Sequence, residues 1–392
     1  MDLTTRTWMA ERVRGFGTSI FAEISALARE FNAVNLGQGF PDFDGPEEIR
    51  NAVARAIAAG HNQYALSNGE VPLREAIAEH SLRFYGTRID PLAEITVTSG
   101  ATEAIFCTGL AFIEPGDEVI IFEPCYDSYV PAIRMAGGIP VPVALHAPDF
   151  RFDPAELRAA VTGRTRAIYV NTPHNPSGTI FTEAELEAIA AICREHDLLA
   201  IADEVYEHIV YPEASHRRLA TLPGMWERTL TISSGGKTFS FTGWKIGWAI
   251  GPEPLQAALR RVHQFSVFAT CTPMQHAIAE ALRLPDEYFA TLASDYLARR
   301  DFLMEVLRDA GLRPRRPDGS YFIVGDISDF PFASGADFIR HLIREIGVAA
   351  IPLDTFYLDP AGGKGLVRFC FCKSWETLEA GAERLRRLRT IE

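Results

Sequence analysis

Lys237 lies in the run Ser233 to Gly247, S-S-G-G-K-T-F-S-F-T-G-W-K-I-G, among residues too small to shield its amine. Apolar runs on either side, Thr229 to Ile232 and Ile246 to Ile250, predict strands, so the lysine is expected in an open loop. Ser234 and Lys245 flank it, and a hydroxyl with a second cation suits an anion, most simply a phosphate. A cation close to Lys237 disfavours its ammonium form. A partly neutral amine is what Schiff-base chemistry requires. Gly236-Lys237-Thr238 also looks like the end of a P-loop, but Thr231 stands where that motif needs its first glycine. Phe239 to Gly247 is poor helix material as well.

Three further groups belong to the same chemistry. Ser99-Gly100 joins the strand-like Glu94 to Thr98 to the helix-like Ala101 to Phe112, which leaves the N–H groups of Ala101 and Thr102 free at a helix N-terminus for an anion. The strand-like runs Arg166 to Val170 and Leu198 to Ala202 end in N-T-P-H-N-P-S-G and D-E-V-Y. In an open α/β sheet ligands bind at the carboxyl ends of strands, so Asn171, Asn175, Asp203 and Tyr206 are expected at one crevice. Arg368 lies in the otherwise apolar run G-L-V-R-F-C-F-C-K. A buried arginine needs an anionic partner, and its planar fork fits a carboxylate at two points.

The elements that must position these groups alternate strand and helix. Short apolar runs at Glu118 to Phe122 and Pro140 to Val143 read as buried parallel strands. Asp153-Pro154-Ala155-Glu156 and the capping box Thr182-Glu183-Ala184-Glu185 open helices, and Ile20 to Phe31, Pro46 to Gly60, Pro72 to Tyr85 and Leu255 to Val262 show helical spacing. Such a chain predicts βαβ units with right-handed crossovers. From about Pro285 a long helix, Glu287 to Ala310, a strand-like Ser320 to Asp326 and a helix Asp337 to Ile346 predict a smaller domain.

With 392 residues, 47% hydrophobic and 23% charged, the chain is long enough for two or three domains of a globular enzyme. A net charge of −13 repels nucleic acid and anionic lipid, so any phosphate must be held by a local site. Met1 to Arg14 lacks the apolar core of a signal peptide and no run is long enough to span a membrane, so a cytoplasmic protein is expected. Cys107, Cys125, Cys193, Cys271, Cys370 and Cys372 form no C-x-x-C pair, and neither a zinc site nor a disulfide framework is expected.

The spacing of Ser234, Lys237, Gly243, Lys245 and Gly247, S-x-x-K-x-x-x-x-x-G-x-K-x-G, resembles the signature around the cofactor lysine of class I pyridoxal-phosphate aminotransferases. The run from Leu222 to Trp248 is similar to the kynurenine, glutamine and methionine aminotransferase branch, and the resemblance extends from N-L-G-Q-G-F-P-D-F to V-R-F-C-F. It implies an α/β enzyme of pyridoxal-phosphate fold type I. A large domain, 46–284, would carry a mostly parallel sheet of the seven-stranded type. A small α+β domain would be built from both chain ends, 1–45 and 285–392.

The resemblance implies roles residue by residue. Lys237 binds pyridoxal 5'-phosphate and moves the substrate's α-proton; Asp203 pairs with the ring nitrogen; Asn175 and Tyr206 donate to the ring's phenolic oxygen; Tyr126 stacks on the ring. Gly100, Ala101, Thr102, Ser234 and Lys245 hold the phosphate, joined by Tyr64 from the partner subunit of a homodimer. Arg368 grips the α-carboxylate, while Gly39, Phe21, Asn175 and Phe268 of the partner subunit shape the substrate site. The implied reaction is ping-pong transfer of an amino group from an amino acid to a 2-oxo acid. Between Phe265 and Arg283 no arginine is offered to a distal carboxylate, which predicts neutral, bulky substrates: methionine, glutamine, phenylalanine, kynurenine. Ala269 stands where the kynurenine branch often has histidine, leaving the substrate open. A β-lyase acting on cysteine conjugates uses the same residues, aspartate transamination is a further alternative, and a cofactor-binding regulator would need a basic fused segment that neither end supplies.

Overall fold

The computed structural model describes residues 8–17 and 20–390. Residues 1–7, part of the N-terminal stretch read above for a signal peptide, lie outside the described residues, as do 18, 19, 391 and 392.

The centre is a sheet of seven strands: β1 Ile95–Ser99, β2 Glu118–Glu123, β3 Ile139–Ala144, β4 Thr165–Asn171, β5 Leu199–Asp203, β6 Thr229–Ser234 and β7 Ile246–Ile250. Their order is β1-β7-β6-β5-β4-β2-β3, and β7 alone runs antiparallel to its neighbours. The registers Asn171↔Asp203 and Asp203↔Ile232 bring the carboxyl ends of β4, β5 and β6 to one edge. Because β7 is reversed, it starts where the others finish, with Ser234 opposite Gly247 and Ser99 opposite Ile246. That reversal brings Lys245, which precedes β7, to the same crevice as Ser234. β5, β6 and β7 are buried along their full length, as near-continuous apolar strands in a covered parallel sheet should be. β3 departs from the expectation of a buried strand: it is the sheet's edge, largely solvent-accessible, and its two prolines cost nothing where an N–H has no strand to meet.

Helices cover the sheet. Gly100–Phe112, Tyr129–Met135 and Glu253–Ser266 lie over one face, with Ile105, Ile133 and Leu259 packed on Ile121, Ile201 and Ala249. Glu47–Ala58, Val71–Tyr85 and Thr272–Leu282 enclose Val97, Trp248 and Ile250 near the β1 edge. The helix Glu183–Glu195 starts at the capping box formed by Thr182 and Glu185, and Asp153 caps Pro154–Ala159, both as the sequence implied.

A second, antiparallel sheet has the order β10-β11-β9-β8, with β8 Arg313–Pro314, β9 Phe322–Asp326, β10 Ile351–Pro352 and β11 Leu366–Cys370. Two N-terminal residues, Val34–Asn35, pair parallel with Val348–Ala349, and the helix Ile20–Glu30 shares a core with Ile343, Leu378 and Leu385. The helix expected over Asp337 to Ile346 is an α-helix Gly335–His341 that loosens into a π-turn, Leu342–Ile346, before Gly347 at φ 85°. Among the described residues no helix is long and apolar enough to cross a membrane.

Candidate active site

A cavity of about 360 Å³ opens where the carboxyl edge of the large sheet meets the second sheet. Lys237 faces it from β6, though not from an open loop as the sequence suggested: Gly235–Thr238 closes a single helical turn directly after the strand. Two glycines let that turn form tightly; a Cβ on Gly235 would meet Ile278 at 2.8 Å. The turn aims Nζ inward, 3.4 Å from the Gly39 carbonyl oxygen and 5.6 Å from the centre of the Tyr206 ring. Burial pulls the Lys237 amine down to about 8; Cys372 and Asp203 oppose that, and Lys245 and Arg368 add to it. The second cation thus contributes, but loss of water is the larger cause.

Asp203 ends β5 beneath the same cavity and is buried. Its Oδ2 accepts from Tyr129 Oη at 2.7 Å and its Oδ1 from the Val205 N–H at 3.3 Å. Burial pushes the carboxyl up to about 6 despite those donors and the nearby Lys237. A buried carboxylate so placed favours a cationic N–H opposite it. Tyr206 lies three residues on, edge-to-face with Tyr321 at 5.1 Å, and Tyr126 borders the cavity edge-to-face with Tyr129 at 5.6 Å.

Gly100, Ala101, Thr102, Ser234 and Lys245 line one end together. Gly100 has φ +70° and a Cβ there would sit 3.0 Å from Lys245 Nζ, so the lysine ammonium rests on the glycine where the helix begins. Gly247 is confined as well, since a Cβ would approach Gly100 C at 2.5 Å and Ala101 N at 2.6 Å. First-turn amides have no acceptor within their helix. Together with Ser234 Oγ and Lys245 they form a cup for a doubly charged oxyanion.

Arg368 comes from β11 at the opposite wall and is 2% exposed. Nη1 donates to Asn175 Oδ1 at 2.8 Å and Nη2 to the Gly37 carbonyl at 2.9 Å, while Nε is buried with no hydrogen-bond partner. The rings of Phe322, Phe356 and Phe21 surround the guanidinium with centroids at 4.2, 4.8 and 5.5 Å. No carboxylate of the described residues forms an ion pair with it. Asp127 is near enough for its charge to be felt but makes no ion pair, which leaves the guanidinium open to an anionic ligand.

Gly39 and Phe21 also border the cavity. The Gly39 carbonyl accepts from Tyr321 Oη at 2.7 Å, and a Cβ at Gly39 would press to 2.8 Å on the Phe322 ring. Tyr64 and Phe268 do not line the cavity of their own chain; they pack edge-to-face on each other at 5.6 Å, with Tyr64 87% and Phe268 43% exposed. Asp127, Gln38, Phe322 and Tyr129 were not singled out from the sequence. Tyr129 could have been found as the residue one helical turn after Tyr126; Phe322 could not, because an apolar residue in a strand carries no mark of which face meets a ligand.

Pyridoxal 5'-phosphate fits these residues on three independent counts. The cup matches its phosphate, the buried carboxylate that Asp203 presents to the cavity matches its pyridinium N–H, and the depressed amine of Lys237 matches its aldehyde.

The model of the family described as "Aminotransferase class I and II" matches residues 32–385. A methionine aminotransferase of Escherichia coli is 44% identical over 372 residues, covering 95% of this chain and 96% of that protein. A probable N-succinyldiaminopimelate aminotransferase of Mycobacterium tuberculosis is 45% identical over 385 residues, covering 95% and 97%. A human kynurenine–oxoglutarate transaminase is 41% identical over 411 residues, covering 96% and 97%. The solved structure of an E. coli methionine aminotransferase superposes with a TM-score of 0.93, covering 97% of this chain and 99% of that one at 43% identity. The geometry of the cavity and these likenesses agree, and the chain belongs to the class I and II aminotransferases, enzymes that use pyridoxal phosphate.

Proposed function

We propose that this aminotransferase takes neutral, bulky amino acids as donors, with methionine, glutamine and aromatic amino acids including kynurenine as the substrate class. The observation that carries this reading is the wall around Arg368. Beyond the one arginine, the described lining on the substrate side is Phe21, Phe40 and Phe322 with a carboxylate, Asp127, and it offers no second guanidinium for a distal acid. Lys245 is committed to the phosphate cup. A second carboxylate on the substrate would enter an aromatic pocket facing a like charge. The similarity to relatives named for methionine and kynurenine supports the same class, while a relative named for N-succinyldiaminopimelate is equally similar.

When bound, pyridoxal phosphate supplies an electron sink that acidifies the amino acid's α-C–H. The chain's own residues do the rest. Arg368 fixes the α-carboxylate with its free Nε and one Nη, and Asn175 keeps the guanidinium plane still. Lys237 Nζ, its amine lowered to about 8, is placed to accept the α-proton and would give it back on the far side of the substrate nitrogen. Asp203, held in orientation by Tyr129, would stay ionised against the ring N–H, and Tyr206 would donate to the phenolic oxygen. The aromatic walls keep bulk water from the α-carbon while the proton moves, and one water then enters to supply the oxygen of the released 2-oxo acid. A second 2-oxo acid runs the same steps backwards, which makes the kinetics ping-pong.

The active unit in this reading is a homodimer. Tyr64 and Phe268, exposed with Leu66 and Phe265 on one surface, are suited to complete a neighbouring subunit's site. In this reading residues 46–284 form the domain that carries the cofactor, and the described residues of 1–45 and 285–392 belong to the smaller one. A cytoplasmic location accords with six unpaired cysteines, five of them buried.

The test is a panel of donors with a fixed 2-oxo acid. Methionine or another neutral bulky amino acid gives the highest kcat/KM and aspartate falls below it. Asp127→Asn narrows that gap by about tenfold, the scale of one like-charge contact at a solvent-accessible position. Faster turnover of aspartate by the unaltered enzyme would overturn the reading.

A further inference from the structure

Asp203, Val205 and Tyr206 line the cavity, whereas Glu204 and Glu207 of the same segment are buried away from it. Glu207 carries its charge into a dry interior with three donors: Ser233 Oγ at 2.5 Å, Tyr85 Oη at 2.6 Å and Arg218 Nη2 at 2.7 Å. Arg218 is buried too. Its Nη1 donates to Ser81 Oγ at 2.7 Å, its Nε lies 3.2 Å from Glu204, and its guanidinium stacks on the Tyr85 ring at 3.6 Å. Burial would raise the Glu207 carboxyl, but Arg218, His80, His208 and Ser233 outweigh it and hold it well below the usual carboxylate range. Glu207 is therefore ionised and saturated with donors.

His80 and His208 stand next to it with Nε2 atoms 2.7 Å apart, and with Glu207 they offer three ligand atoms within 4.8 Å of one another. A metal ion there would have to displace donors from Glu207 and sit beside the Arg218 cation. Like-charge repulsion in a low dielectric argues against it. The cluster is an anchor, not a metal centre.

Sequence adjacency says what is anchored. Glu207 follows Tyr206, and Ser233 precedes Ser234. The Ser233–Glu207 bond and the backbone bond from Glu204 N to Ile232 O at 2.8 Å tie the segment after β5 to the end of β6. One side of this tie carries the ring contacts, Asp203 and Tyr206; the other carries Ser234 and, three residues on, Lys237.

We propose that the Ser233–Glu207 bond, held in place by Arg218, sets the spacing between the ring-side wall and the phosphate-and-lysine wall, making Ser233 and Glu207 positioning residues for the cofactor. The inference rests on the assignment of those walls under Proposed function. A bond of this kind to a charged acceptor supports an effect of about tenfold on cofactor affinity.

The experiment titrates cofactor-depleted wild-type, Ser233→Ala and Glu207→Gln proteins with pyridoxal 5'-phosphate, following the visible band of the lysine-bound cofactor and its pH midpoint. Thermal melting of each cofactor-depleted protein is recorded alongside. Ser233→Ala leaves Glu207 paired with Tyr85 and Arg218, so the fold is retained; pyridoxal phosphate then binds about tenfold more weakly and the pH midpoint of the band shifts, with little change in the cofactor-depleted melting temperature. Glu207→Gln moves affinity and midpoint in the same sense. Wild-type affinity and midpoint in Ser233→Ala overturn the proposal, as does a loss of affinity accompanied by a large fall in melting temperature and an unmoved midpoint. A wild-type protein that shows no band overturns the cofactor assignment itself, and this inference with it.

Discussion

Arg368 Nη1 and Asn175 Oδ1 are joined at 2.8 Å across the cavity, one residue from the second sheet and the other from the loop after β4. The bond orients the guanidinium and leaves its Nε facing no protein acceptor. Arg368→Lys keeps a cation but loses the fork, and kcat/KM for methionine falls by roughly 10- to 150-fold, the equivalent of ~1.5–3 kcal/mol. Steady-state kinetics with methionine check this, and an unchanged kcat/KM would remove Arg368 from substrate binding.

The cofactor-depleted protein reports on Asp203 through its stability. The folded value of about 6 lies above the ordinary 3.8, so the folded protein holds the proton more tightly than the unfolded chain does. That contribution is fully present below about pH 4 and is lost as pH rises to about 6. Urea unfolding across this window shows the decline, and Asp203→Asn removes its share of the slope. In the loaded enzyme the same substitution slows the methionine half-reaction by about 100- to 1000-fold, as for other losses of a preorganised charge.

Lys237 is nucleophilic only when neutral. With its amine lowered to about 8 from 10.5, capture of added pyridoxal phosphate by the cofactor-depleted protein accelerates as pH rises and levels off above about 8. Stopped-flow absorbance measures the profile. A rate still climbing steeply through pH 10 would mean that the amine is not depressed.

Tyr64 serves the neighbouring subunit in the proposed dimer, which makes hybrid complementation decisive. Tyr64→Ala and Lys237→Ala homodimers are each impaired. Mixed after gentle dissociation, they form hybrids with one intact site, and activity rises above that of either parent. If Tyr64 served its own chain, no hybrid site would be whole and mixing would restore nothing.

Much of the site was legible because its chemistry is written in local spacing. The lysine with its flanking serine and second lysine, the D-x-x-Y after β5 and the arginine in an apolar strand each stand out without knowledge of the fold, and the cavity brings them together. The capping box at Thr182 and the N-cap at Asp153 were legible for the same reason. Less was visible where the answer depends on distant packing. β3 reads as a buried strand, yet its position at the edge is decided by sheet order, which local apolar content does not encode. The helical turn at Lys237 is hidden because two glycines argue against a helix, while the need for a residue without a Cβ beside Ile278 is visible only in the packing. Glu207 looks like any acid after a strand, and its burial against Arg218 and Ser233 exists only in three dimensions.

The most direct test of the account is the visible spectrum of the purified protein before and after methionine is added without any 2-oxo acid, beside a Lys237→Ala control. The account predicts a yellow band that requires Lys237 and that methionine bleaches as the amino group is taken up. A band untouched by methionine would contradict the substrate pocket, and no band after added pyridoxal phosphate would contradict the assignment of Lys237 and the cavity around it.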